Sequence, residues 1–333
     1  MATVDVVIPC YNYGRYLESC VNSVLSQSIA DVRILIIDDA STDNSQAVAE
    51  SIAACDRRVS LLAHPQNMGH IKTYNEGIAW LESDYFLLLS ADDLLVPGTL
   101  ERAIRIMDDN PDVVMTYGDG IEWNDAFPLP AILPSEGNWV RQDLLRDMCG
   151  CGANLVVTAT AVVRTSAQLA VGDYDIALPH SADMALWLKF AAHGAIAKIH
   201  AAQAIYRRHA SNMSEAYYAR KLLDYQQRKA AFDSFFLTTD GLSSDSDALR
   251  VKADQKLARL AYWSGVGQLL RGHTVNATAL LRFATNLDTT LYYLPPLGQL
   301  LRTPRLGRVM SAIASDATSR LFESKRPLGL DRK

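Results

Sequence analysis
Tyr85-Phe86-Leu87-Leu88-Leu89-Ser90-Ala91-Asp92-Asp93 is an apolar run that ends abruptly in two adjacent carboxylates. Five successive large apolar residues with no polar alternation read as a strand buried on both faces, as in a parallel sheet. In open α/β sheets, ligands bind beyond the carboxyl ends of the strands. Two acids at such an end suit a hard divalent cation that also holds phosphate oxygens. Read alone, the same pair is turn chemistry ahead of Pro97.

The surrounding text repeats this pattern. Val4–Ile8, Val32–Ile37, Val59–Ala63 and Val113–Tyr117 read as further strands. Between them, helical periodicity covers Tyr16–Ser26, about 41–55 with the cap cluster Ser41-Thr42-Asp43, Gly69–Trp80, and a helix from Pro97 to about Asp108. This alternation predicts βαβ units: an α/β, Rossmann-like, mostly parallel central sheet flanked by helices. Residues 118–140 read as an ordered loop, Val156–Val163 as a strand, and Ala182–Ala192 as a helix. Ile196–His200 and Gln203–Tyr206 follow as two short strands. Beyond Glu215 the chain is helical, at about 215–236, 246–271 and 273–286, with a Gly/Ser/Thr/Asp-rich loop at 237–246.

Composition narrows the functional classes. The 333 residues are 49% hydrophobic and 21% charged, within the ordinary globular range, and the net charge of −5 argues against a nucleic-acid binder. Residues 215–333 hold 18 basic and 11 acidic residues, net +7, whereas residues 1–214 hold 14 and 26, net −12. That split predicts two parts, 1–214 and 215–333. The basic helical part is suited to an anionic membrane surface through Arg302, Arg305 and Arg308, or to plain packing or homodimerisation. No apolar run is long enough to span a bilayer. The N-terminus enters a strand without a secretory pattern. Five cysteines without a pairing framework fit a reducing compartment. Together these predict a cytoplasmic protein, peripheral on the inner membrane face at most. Cys149-Gly150-Cys151 is too closely spaced for a good chelate.

The strand exits place chemistry at one sheet edge. Strand one exits into Pro9-Cys10-Tyr11-Asn12-Tyr13, strand two into Asp38-Asp39, and strand four into Asp92-Asp93. Tyr11 offers a flat face to a nucleobase, Asp39 an acceptor for base or ribose, and Asp92 a ligand for Mg²⁺ or Mn²⁺. Each has a plainer reading: Tyr11 as a surface tyrosine, and Asp38-Asp39 as a turn and helix cap. Their convergence is the specific signal.

The chain resembles the family 2 inverting glycosyltransferases of the GT-A fold. The resemblance is carried by Val6–Leu17 (VVIPCYNYGRYL), Ile34–Ser45 (ILIIDDASTDNS), Asn67-x-Gly69 with Asn75-x-Gly77, and Leu89–Pro97 (LSADDLLVP). Two later stretches add to it: Gly172–Asp175 (GDYD) with Ala182–Leu188 (ADMALWL), and Tyr206–Ser214 (YRRHASNMS). They run in family order over about residues 4–214.

The resemblance implies an enzyme that takes a nucleotide-diphospho-sugar, UDP- or dTDP-type, and an acceptor that is a saccharide or lipid-linked saccharide. It implies Pro9, Tyr11, Asp39, Lys72, Ser90, Ala91 and Asp92 at the nucleotide, and a cation on Asp92 with His209. It implies Asp183 as general base, and Asp93, Arg207, Arg208 or Trp187 as phosphate or acceptor contacts. An inverting displacement needs a base to take the acceptor proton as the bond forms. Asp183 opens a helix whose dipole favours the ionised form, and near its reference pKa of about 3.9 it is a weak base. Its plain reading is an N-cap. That of His209 is a loop histidine, and that of Trp187 a core residue.

Three departures from the pattern stand out. Ser90 replaces the first acid of Asp-x-Asp, Ala182 replaces a frequent Glu before the base, and Tyr74 stands where many members have Arg. A nucleotidyltransferase on a similar fold is the rival reading, but Pro-Cys-Tyr-Asn-Tyr is not its Gly-rich loop. A non-catalytic carbohydrate-binding relative is the other, motivated by Ser90 and Ala182.

Overall fold
The computed structural model describes residues 2–131, 135, 137–209, 212, 220–238 and 245–293. The strands are β1 (Val4–Cys10), β2 (Val32–Asp38), β3 (Val59–Ala63), β4 (Tyr85–Leu88), β5 (Leu94–Leu95), β6 (Val113–Asn124), β7 (Trp139–Gln142), β8 (Val162–Arg164) and β9 (Ala195–Arg208). They form one sheet in the order β3-β2-β1-β4-β8-β6-β9-β5, with β7 also on β9. β1 pairs in parallel with β2 and β4, β2 with β3, and β6 with β9. β8 runs antiparallel between β4 and β6. Thus β3, β2, β1, β4, β6 and β9 share one direction, and their carboxyl ends share one edge. The sheet is mixed, because β5, β7 and β8 oppose that direction.

The helices are α1 (Gly14–Leu25), α2 (Ser45–Cys55), α3 (His70–Ala79), α4 (Thr99–Asp109), α5 (Leu144–Cys151), α6 (Thr165–Val171), α7 (Ala182–His193), α8 (Lys221–Thr238), α9 (Ser246–Leu270) and α10 (Thr274–Leu287). Successive side chains of a strand face opposite ways, so β1 feeds two cores. Val4, Val6 and Ile8 pack with α1 and α4 residues such as Leu17, Val21 and Leu100. Val7, Leu35, Ile37 and Leu88 pack on the other face with Ile71, Leu188 and Phe190. Phe232, Phe236, Leu257 and Ala261 of α8 and α9 belong to this second core. The C-terminal helices therefore share apolar burial with the sheet. The predicted boundary at 214/215 touches 213–219, which lie outside the described residues, as do Arg302, Arg305 and Arg308.

Four local readings of the sequence are corrected. The helix after Pro97 starts at Thr99, because Val96–Thr99 first makes a turn with Gly98 at φ +78°. Residues 118–124 are not loop but extend β6 along β9. Register shifts at Gly118, Asp119 and Gly120 absorb the glycines that read as breakers. A Cβ on Gly118 would lie 2.9 Å from the carbonyl oxygens of Ile199 and Ala201. The strand expected at 156–163 is confined to β8; ahead of it Thr158–Thr160 makes a single 3-10 turn. The two strands expected at 196–206 are one continuous strand, β9.

Candidate active site
The loops after β1 and β2 lock each other. Asn12 (φ 61°) and Ala40 (φ 57°) take left-handed conformations that non-glycine residues seldom adopt. Asn12 N donates to Ser41 Oγ at 2.9 Å, and Asn12 Oδ1 accepts from Thr42 N at 2.7 Å. Gly14 N donates to Asp43 Oδ2 at 3.2 Å, while Asp38 Oδ2 accepts from Ser41 N. The Ser41-Thr42-Asp43 cluster thus braces the β1–α1 loop besides preceding a helix. It holds Tyr11 at the loop tip, 46% exposed.

Asp39 is buried, and a second loop closes around it. Its Oδ1 accepts from Met68 N at 2.6 Å and pairs with His64 Nδ1 at 2.8 Å; its Oδ2 accepts from Gly69 N at 2.9 Å. Asn67 Nδ2 donates to the Asp39 carbonyl.

Asp92 and Asp93 are both buried beyond β4. Asp92 Oδ2 lies 3.1 Å from His209 Nε2 and 3.3 Å from Asn212 Nδ2. Asp92 Oδ1 is buried with no hydrogen-bond partner among the described residues. Asp93 Oδ1 accepts from Arg207 N at 3.0 Å. Burial, and after it the neighbouring Asp92 charge, raises the Asp93 carboxyl well above the usual carboxylate range. The two acids therefore differ: Asp93 is tied to β9, and Asp92 keeps one carboxylate oxygen without a hydrogen-bond partner among the described residues.

A cleft of about 480 Å³ opens here, its lining including Pro9, Tyr13, Ser90, Asp92, Asp93 and Asp183. Asp183 sits in the first turn of α7. Its Oδ1 accepts from Met184 N at 2.7 Å and its Oδ2 from Asn154 Nδ2 at 2.9 Å, with Thr158 Oγ1 at 3.4 Å. Burial raises its pKa above the ordinary value, despite the opposing pull of the Met184 N–H, nearby His180 and the Thr158 hydroxyl. This corrects the expectation of an unshifted carboxylate and makes Asp183 a stronger base than a surface aspartate.

Other predicted residues lie elsewhere. Arg207 is corrected as a phosphate contact: its guanidinium is sandwiched 4.4 Å from the Tyr16 ring and 4.5 Å from the Trp123 ring, and its Nε donates to the Asp92 carbonyl at 2.8 Å. Trp187 is corrected as an acceptor contact: it is buried in the core and stacks on Phe190. Ala91 packs in the core beneath the acids. Lys72 is exposed on α3, and Arg208 lies over the Tyr206 ring. Lys72, Ala91, Arg208, Tyr11 and Asp39 do not line the cleft.

The cleft also uses residues given no role from sequence. Tyr13 meets His209 edge-on. Asn75 clamps the backbone of Tyr174 by two hydrogen bonds of 2.9 Å, and Tyr74 packs on Tyr174. Thr158 comes from the stretch expected as a strand at 156–163, and Asn154 lies just ahead of it. From α8, Asp224 reaches His180 Nε2 at 3.3 Å and the Gln227 carbonyl accepts from Ser181 Oγ at 2.8 Å. The stretch just before Asp183 is thereby fixed by the C-terminal region. Tyr13, Asn75, Tyr174 and Asn212 lie in the matching stretches, which was their signal; Asn154, Thr158, Asp224 and Gln227 had none.

Residues 5–167 match the family described as Glycosyl transferase family 2. This region, just under half of the chain, belongs to that family. The chain is a glycosyltransferase, as are its named relatives. An uncharacterized glycosyltransferase of Haemophilus influenzae is 23% identical over 223 residues, 64% of this chain and 68% of that protein. Among solved structures, S. aureus TarS 1-349 in complex with UDP-GlcNAc superposes with a TM-score of 0.55 at 14% identity, covering 87% of this chain and 92% of the other. The mannosyltransferase PcManGT from Pyrobaculum calidifontis, in complex with GDP-Man and Mn²⁺, gives a TM-score of 0.58 at 16% identity, over 98% and 88%. At these identities the likeness establishes the GT-A glycosyltransferase fold.

Asp92 fits a hard cation in its chemistry. Among the described residues no group of three or more His, Cys, Asp or Glu forms a protein cage. Magnesium-type sites commonly use one or two carboxylates and leave other positions to water and substrate phosphates. Asp92, whose Oδ1 has no partner among the described residues and whose Oδ2 meets the His209 imidazole, fits that arrangement.

Proposed function
We propose that the cleft binds a nucleotide-diphospho-sugar and transfers its sugar, with inversion, to a hydroxyl of a saccharide or lipid-linked saccharide. The observation that carries this reading is the sharing of one cleft by Asp92, with its unsatisfied oxygen, and Asp183, with its raised pKa. Pro9 and Ser90 belong to the cleft lining, and the nucleoside extends beyond it toward Tyr11 and Asp39 on the adjoining loops after β1 and β2. Asp92 and His209 would hold a divalent cation, Mg²⁺ or Mn²⁺, which would supply Lewis-acid neutralisation of the diphosphate charge.

The remaining chemistry belongs to the chain. The acceptor oxygen attacks the anomeric carbon as the bond from that carbon to the diphosphate oxygen breaks. The acceptor proton passes to Asp183, and the electron pair of the broken bond leaves with the nucleoside diphosphate. Asn154, Thr158 and the Met184 N–H hold the carboxylate in place for this transfer. Arg207 fixes the peptide of Asp92 from behind.

Donors of both the UDP and GDP type are consistent with the reading, since the two structural neighbours hold UDP-GlcNAc and GDP-Man. Residues 1–214 form the transferase part and the C-terminal helices an accessory part that braces α7. Among the described residues no helix is long and apolar enough to cross a membrane; the reading with a lipid-linked acceptor takes the protein as peripheral at the membrane. Isothermal titration of UDP, dTDP and GDP, with and without Mn²⁺, tests the donor site. Binding of at least one that strengthens with cation is expected; no binding of any of them would overturn the reading.

A further inference from the structure
The His64 side chain is buried and has a carboxylate on each ring nitrogen. Nδ1 lies 2.8 Å from Asp39 Oδ1 and Nε2 lies 2.7 Å from Glu76 Oε2, with the side chain only 6% exposed. A neutral imidazole has one N–H and one acceptor nitrogen, whereas an ionised carboxylate only accepts. Making both bonds therefore requires both N–H groups, that is, an imidazolium. Asp39 and Glu76 are the charged groups set against it. Asp38, the last residue of β2, accepts from the His64 N–H through its backbone carbonyl, and its carboxylate Oδ2 accepts from Ser41 N. Burial alone would lower the imidazole pKa; the Asp39 and Glu76 hydrogen bonds outweigh it and raise the value above 6.5.

We infer that His64 is a proton-linked positioning residue for the nucleotide contact at Asp39, so that nucleotide diphosphate affinity falls as pH rises and His64 loses its second ring proton. The inference deepens the donor-site reading and rests on it. Asp39 is the hub around which Met68 and Gly69 wrap, and its charge is compensated at short range by His64. When the proton leaves, one of the two ring bonds is lost. A less compensated carboxylate then stands beside an anionic ligand, which opposes binding. Glu76 is half-exposed and on α3. It sets how firmly the proton is held without being a nucleotide contact itself.

The test is titration of UDP, dTDP and GDP with Mg²⁺ across pH 6.5 to 9, on the full chain and on His64→Gln and Glu76→Gln. Ionisation of the nucleotide is common to all three proteins and cancels between them. For the wild type, affinity is expected to fall by about fivefold or more across this range, the lower end of typical coupling between sites. His64→Gln is expected to show no such break, and Glu76→Gln to show it at lower pH. Glu76→Gln changes a half-exposed side chain, so it keeps the test alive if His64→Gln folds poorly. Parallel pH profiles for wild type and Glu76→Gln would overturn the inference while leaving the donor site standing. No nucleotide binding at any pH would overturn the donor-site reading and this inference together.

Discussion

Replacing Asp183 by Asn tests the catalytic reading at its most exposed point. Asn fills the same volume and keeps one oxygen, so the Met184 N–H or the Asn154 amide retains an acceptor. The other position becomes an NH₂ group, and the Thr158 hydroxyl can rotate to accept from it. Ground-state geometry and donor binding should thus change little, by less than about threefold in KM. What is lost is the proton acceptor. General bases contribute about 10²–10⁴-fold, or about 3–5 kcal/mol of barrier.

The same substitution has a stability signature. A carboxyl whose folded pKa is raised above its unfolded value binds its proton more tightly when folded. Its contribution to stability therefore declines as pH rises from about 4 through the folded pKa. Asp183→Asn should lack that decline, so its stability relative to wild type should improve across this window. Rates of nucleoside diphosphate release and urea denaturation at several pH values measure the two effects. A kcat within threefold of wild type, with an unchanged acid limb, would refute Asp183 as the base.

Three further outcomes follow from the geometry. Asp92→Asn should abolish the cation-dependent part of nucleotide diphosphate binding, and calorimetry of the variant with Mn²⁺ should match wild type with EDTA; persistent cation dependence would move the metal elsewhere. Arg207→Met should cost about 2–4 kcal/mol in urea denaturation, since it removes the guanidinium from between Tyr16 and Trp123 and breaks the bond to the Asp92 carbonyl; a loss under 0.5 kcal/mol would contradict the sandwich. Gly77→Ala should destabilise by about 1–3 kcal/mol through overpacking, because its Cβ would lie within 2.4 Å of Val7 Cγ1. An unchanged denaturation midpoint would argue against that close approach of α3 to β1.

The first half of the sheet was legible because β1, β2 and β4 are buried on both faces, which leaves continuous apolar runs that end at the functional edge. Asp92, Asp183 and His209 were legible through their positions at such ends and in the matching stretches. What failed to read is what depends on pairing over long sequence distances. β6 continues through Gly118–Gly120 only because β9 shifts register to meet it. Arg207 reads as a phosphate ligand until Tyr16 and Trp123, distant in sequence, enclose it. Lys72 had the right charge but the exposed side of α3. Thr158 was hidden because the apolar, β-branched stretch Val156–Val163 reads as strand, whereas its first residues line the cleft; Asn154, just ahead of that stretch, carried no motif. The C-terminal helices were visible as helices. That α8 fixes His180 and Ser181 beside the proposed base could not be read from their periodicity.

The most direct measurement of the central claim is the stereochemistry of transfer. The protein is incubated with Mn²⁺, a panel of UDP-, dTDP- and GDP-sugars and saccharide acceptors. Nucleoside diphosphate is assayed, and the anomeric configuration of the product is read by NMR. The account predicts release of nucleoside diphosphate from at least one donor, in step with a product of inverted configuration, with both lost in Asp92→Asn and Asp183→Asn. A product of retained configuration, or undiminished transfer by Asp183→Asn, would contradict it.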